Sequence, residues 1–132
     1  MLVISLHHQP HVHFIFYMRG CRTWTLIAQP AGWRPRAFIG FSVIQSGLIV
    51  FGGFSGSGSF FSDFWLSEDG GQTWREITAS GPAPGTRAAS RLVSLLNGDS
   101  CLLVAGWQKF YLPGGARSVP RYLADTWVVP KI

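Results

Sequence analysis

The chain has 132 residues, 47% hydrophobic, 14% aromatic and 13% charged, with 16 Gly, 8 Pro, 6 Trp and a formal charge of +5. So apolar a composition excludes a disordered chain, and the length suffices for one domain with a real core. Many turn formers and large rings, with no runs of Ala, Glu, Lys and Leu, favour an all-β fold over a helical one.

In chain order, residues 1–11 read as an N-terminal extension outside any repeat. The stretch His7-His8-x-x-His11-x-His13 places His11 and His13 on one side if extended, which suits a weak Zn or Ni site. No acid stands nearby and only Cys21 follows, so no metal is assigned. Histidines and Pro10 break the apolar stretch, and it lacks a basic leader, so it does not have signal-peptide form. No run approaches the ~20 apolar residues of a membrane helix, and no membrane partner is expected.

Residues 12–28 read as the degenerate end of a preceding repeat unit. Gly20, Thr23 and Trp24 survive in it, and Thr23 to Ile27 match Thr73 to Ile77; either this half-unit is degenerate or residues 1–20 are not repeat sequence. Residues 29–78 read as a complete unit. Its expected strands are Ala37 to Ile44, Leu48 to Gly52, Asp63 to Ser67 and Trp74 to Thr78. Residues 79–132 read as a second unit without its last strand. Its strands are Ala88 to Leu96, Ser100 to Gly106 and Leu123 to Val129. Asn97-Gly98 predicts a tight hairpin whose central residues both have positive φ. Gln108 to Arg121 reads as a long loop.

The units match residue by residue. Thr23-Trp24 pairs with Thr73-Trp74, and Arg36-Ala37 with Arg87-Ala88. Gly52-Gly53 pairs with Ala105-Gly106, and Asp63-Phe64-Trp65 with Asp125-Thr126-Trp127. Four short strands recurring at about 50 residues are the signature of a propeller blade.

An apolar-Gly-Gly element, Asp-x-Trp and a spaced Trp resemble a kelch repeat. They stand here as Val50-Phe51-Gly52-Gly53, Asp63-Phe64-Trp65 and Trp74. Ser67-Glu68-Asp69-Gly70-Gly71-Gln72-Thr73-Trp74 resembles an Asp-box, with Ser67, Asp69, Gly71, Thr73 and Trp74 filling its defined positions. The resemblance implies antiparallel four-stranded blades of a kelch-type β-propeller, incomplete in this chain. It also implies that the Asp69 turn is a structural hairpin away from any active site. The physics agrees, because an Asp at a tight turn accepts backbone N–H groups a few residues on, and glycines supply positive φ. Trp24, Trp65, Trp74 and Trp127 are then blade core.

About two and a half units leave a propeller open. Either this is part of a longer protein, which the broken units at both ends favour, or copies self-associate to close a ring, or the two or three sheets pack alone as a compact, marginal domain.

Loops joining rigid strands are the natural binding surface. Lys109, Tyr111, Arg117 and Arg121 combine charge with an aromatic ring, which suits an anionic, saccharide or peptide partner. Trp33, Arg34 and Arg36 enter the complete unit and are expected on that same face, with Trp33 and Trp107 free to bind. The arginines are scattered, so no nucleic-acid partner is expected. Cys21 and Cys101 form no Cys-x-x-Cys pair and read as small core residues.

No nucleophile elbow, P-loop or His-Glu-x-x-His motif occurs. The expected function is a non-catalytic repeat scaffold for a protein or saccharide ligand, without a cofactor. The alternatives are part of a secreted carbohydrate-active or galactose-oxidase-like propeller enzyme, or a degenerate fragment with no independent function.

Overall fold

A computed structural model describes residues 25–130 apart from Ala79, Asn97, Asp99 and Ala116. His11, His13, Cys21, Trp24 and the extension 1–11 lie outside the described residues. No helix occurs among those described. The fold is all-β, with two open antiparallel sheets. The first contains β1 (Gly40–Ile44), β2 (Gly47–Phe54), β3 (Phe60–Ser67) and β4 (Arg75–Ile77), in that order. The second contains β5 (Arg91–Ser94), β6 (Cys101–Tyr111) and β7 (Ser118–Val129), also in order. Each is a meander, which short turns between successive strands permit.

The sheets pack face to face. Ile44, Ile49, Phe51, Phe64 and Leu66 of the first meet Leu92, Cys101 and Leu103 of the second in one buried cluster. Alternation along each strand produces this face, since residues two apart share a side. The opposite face of the first sheet is covered by the segment before β1: Ala31 and Trp33 bury Val50 there, with Phe41, Trp65 and Trp74 around them. Backbone bonds also stitch sheet to sheet. Gly53 N–H donates to Arg87 O (2.9 Å), Arg87 N–H to Phe61 O (3.0 Å) and Ala89 N–H to Phe38 O (2.7 Å).

Three sequence expectations change. The span 108–121 is no long loop: β6 runs on to Tyr111 and β7 starts at Ser118, pairing Gln108 with Arg121 and Tyr111 with Ser118. Pro120 suggests a break, but it lies on β7, an edge strand, where a missing N–H is tolerated. The turn that holds Gly98 is wider than a two-residue hairpin. Leu95 N–H donates to Ser100 O and Gly98 N–H to Leu95 O, both 2.8 Å, with φ +71° at Gly98. The first strand of each unit begins late. Ala37 and Ala88 make only isolated bridges, to Phe54 and Trp107, and the positive φ of Phe38 and Ala89 interrupts pairing before β1 and β5.

Candidate functional site

The most elaborate polar arrangement occurs twice. Arg36 is buried at 6% exposure and grips Asp63 with both terminal nitrogens, at 2.5 and 2.9 Å. Its Nε donates to Arg34 O (3.1 Å), and one terminal nitrogen also reaches Gly52 O (3.1 Å). Trp65 Nε1 donates to the same carboxylate at 2.7 Å. In the second sheet Arg87 grips Asp125 at 2.5 and 2.8 Å, donates to Gly85 O and Ala105 O at 3.2 Å, and Trp127 Nε1 adds its bond at 2.6 Å.

Strand geometry creates both copies. A bulge skips a pairing at Gly52 and again at Ala105, and both residues have positive φ, 60° and 55°. That twist turns a carbonyl toward the arginine, while Asp and Trp two residues apart on the next strand share a side. Burial pushes the Asp63 carboxyl up, but the Arg36 and Trp65 hydrogen bonds and the Arg36 charge outweigh it and hold it below its ordinary value. The bonds from Arg87 do the same to Asp125. Every strong donor and acceptor is matched within the chain, so these groups clamp strands together and have no proton to exchange near neutral pH. Arg36 is therefore not presented to a ligand.

The second feature is the β3–β4 turn. Asp69 accepts the Thr73 N–H at 2.9 and 3.0 Å and the Thr73 hydroxyl at 2.6 Å. Ser67 Oγ donates to Asp69 (2.8 Å) and accepts the Gly71 N–H (2.7 Å). Gly70 and Gly71 take φ of 74° and 98°. Led by the Thr73 bonds, these contacts lower the Asp69 carboxyl to about 2. Trp74 donates to Gly71 O (3.1 Å), and its ring lies 4.3 Å from that of Trp33. Ser67, Asp69, Gly71, Thr73 and Trp74 thus form one turn whose polar groups satisfy each other.

The remaining candidates divide. Trp33 is buried against Trp65 and Trp74 rather than free. Trp107 packs on Phe60 and Phe54, with ring centroids at 5.0 and 6.3 Å, and Lys109 Nζ sits 5.5 Å above Phe54. Tyr111, Arg117 and Arg121 are exposed on the β6–β7 hairpin, and Arg34 is exposed before β1. One shallow concavity is lined by Arg34, Arg36, Asp63 and Glu76, and a separate one by Phe110, Val119, Pro120 and Arg121. Arg34 and Arg121 therefore sit in different depressions, the first of which also holds the carboxylates of Asp63 and Glu76. The sequence reading missed an apolar groove of about 280 Å³ between the sheets, walled by Phe64, Ile77, Pro84, Trp127 and Val129. Its signal was the Pro82-Ala83-Pro84 run, which keeps that wall free of long side chains.

Compared with protein-family models and with curated proteins, the chain matches none.

Proposed function

We propose that the chain is a non-catalytic binding scaffold made of two successive kelch-like propeller units, the first ended by an Asp-box-type hairpin. The observation that carries this reading is the duplicated Arg–Asp–Trp clamp on a positive-φ bulge, in the same strand positions of both sheets. Its polar groups are spent on holding strands, which is the work of a scaffold rather than of a reacting site. The β6–β7 hairpin projects from that frame with Lys109, Tyr111, Arg117 and Arg121. Two guanidinium groups and a phenol on a held hairpin suit an anionic saccharide or an acidic peptide.

A panel of sulfated oligosaccharides, neutral oligosaccharides and acidic peptides tests it, read by biolayer interferometry on the full chain. Anionic probes are expected to bind. An Arg117→Ala/Arg121→Ala double variant should weaken them about tenfold or more, or at least ~1.4 kcal/mol. Binding that is indifferent to these arginines, or confined to neutral probes, would overturn the assignment.

A further inference from the structure

We propose that the outer edge of β7 takes Thr23–Ile27 of a second copy of this chain as a fourth strand, so that copies join head to tail. This rests on the reading of the two sheets as successive units.

The first sheet shows what completes a unit. There β4 pairs along β3, with Phe64 opposite Ile77, Trp65 opposite Glu76 and Leu66 opposite Arg75. Just before β4, Trp74 lays its ring on Trp33. In the second sheet Thr126, Trp127 and Val128 stand where Phe64, Trp65 and Leu66 stand. Among the described residues no strand pairs with their outer side. The apolar groove lies beside this edge, with Trp127 in the place of Trp65 and Pro84 in that of Trp33. It is the space that Trp74 fills in the first unit.

One further segment of the chain has the matching sequence. Thr23-Trp24-Thr25-Leu26-Ile27 repeats Thr73-Trp74-Arg75-Glu76-Ile77 at the Thr, Trp and Ile positions. Its described residues, Thr25 to Ile27, belong to no strand, and Leu26 is 51% exposed. Within one chain its described residues, Thr25 to Ile27, do not pair with β7. The residues that follow it, Ala31 and Trp33, lie on the face of the first sheet that points away from the second.

The relation that carries the first sheet onto the second can be applied once more. Residues 29–36 lead into the first sheet and end in Arg36, as residues 80–87 lead into the second and end in Arg87. The step therefore brings a second copy's Thr23–Ile27 onto β7 and its first sheet against the outer face of the second. That face is largely apolar, with Arg91 in the place of Gly40 and Thr126 in that of Phe64. Val93, Leu102, Val104 and Val128 occupy the places of Ser42, Ile49, Phe51 and Leu66, all buried between the sheets. Val93 is 52% and Val128 62% exposed. Arg91 must fit where Gly40 lies against Ser90 and Leu92, and Ala105 departs from the repeat as well. A Cβ on Gly52 would stand 2.6 Å from Arg87 O, and Ala105 in the matching place has that Cβ. The inner ends of joined copies must therefore sit further apart than the two sheets of one chain, and Ala105→Gly should tighten the association. Each copy supplies two sheets among its described residues, so a ring closed from these at four to eight sheets would hold about two to four copies.

Light scattering on the full chain up to about 100 µM, well above a micromolar dissociation constant, is the first test. Wild type should run as a multiple of the 14.5 kDa chain. Trp24→Ala removes the donor ring, and Val128→Arg charges the acceptor face at an exposed position. Each alone should be monomeric, and a mixture of the two should give a 1:1 heterodimer. A wild-type monomer, association that survives both changes, or no complementation overturns the proposal. A continuation of the repeats in a longer chain would give that monomeric result. Hydrogen exchange on the Trp24→Ala monomer tests the underlying reading separately. Slow amides throughout Thr126–Val128 would show the edge already covered within one chain, and the reading of a three-stranded second unit would itself fail.

Discussion

Each clamp carboxylate takes three bonds, two from an arginine and one from an indole, and that concentration sets the residue-scale behaviour. Asp63→Ala would leave the Arg36 charge, at 5% side-chain exposure, with two backbone carbonyls and the Phe61 ring but no counter-charge. Loss of one partner from a buried pair costs about 3–5 kcal/mol, which should appear as a lower urea midpoint at unchanged slope. Replacing Arg36 and Asp63 together by Met and Leu should restore much of the loss, since no unpaired charge remains. The acid side of the stability profile has the same origin. Asp63, Asp69 and Asp125 all have folded pKa values below the ordinary 3.8, and Asp69 lies at about 2. The unfolded chain therefore takes up protons first as pH falls. The stability these groups contribute is whole above about pH 5 and drains away from about pH 4 through pH 2. Urea midpoints across that window should fall, and Asp125→Asn should flatten the slope. Cys101 is buried, and desolvation raises its thiol to about 11. Its peptide should stay unlabelled by iodoacetamide at about pH 8 in the native protein and label fully in urea.

At the element scale, the bulge glycines decide how sheets approach. Gly52 takes φ 60° within reach of the Arg87 carbonyl, and Gly53 beside it donates to that carbonyl. Gly52→Ala should therefore cost more than the ~1 kcal/mol of an ordinary glycine replacement, seen as a lower thermal midpoint. Ala105→Gly, at φ 55° in the second sheet, should have the smaller effect because no further sheet presses there among the described residues. The strands themselves were legible. Alternating apolar residues between Gly-rich turns located all seven strands, while their ends shifted by a few residues. The β6–β7 hairpin was not legible. Pro113, Gly114, Gly115 and Pro120 look like a loop in sequence, but long-range pairing from Gln108–Arg121 to Tyr111–Ser118 overrides them.

At the scale of the whole molecule, the sheets share one core. Leu103 is fully buried between them, so Leu103→Ala should cost about 2–5 kcal/mol. It should shift one cooperative transition, with tryptophan fluorescence and far-UV circular dichroism coinciding. Two separated transitions would show that the sheets fold independently. The sequence alone determined the all-β class and the turn built on Asp69, because these depend on alternation and on contacts only a few residues apart. It also placed Arg36, Asp63 and Trp65 and their second copies in register. The tertiary structure decided what those residues do. It buried Arg36 and Trp33, put Arg34 and Arg121 in different depressions, and opened the groove beside Trp127. Those outcomes depend on which face of a sheet meets which neighbour, and that is fixed by packing between residues far apart in the chain.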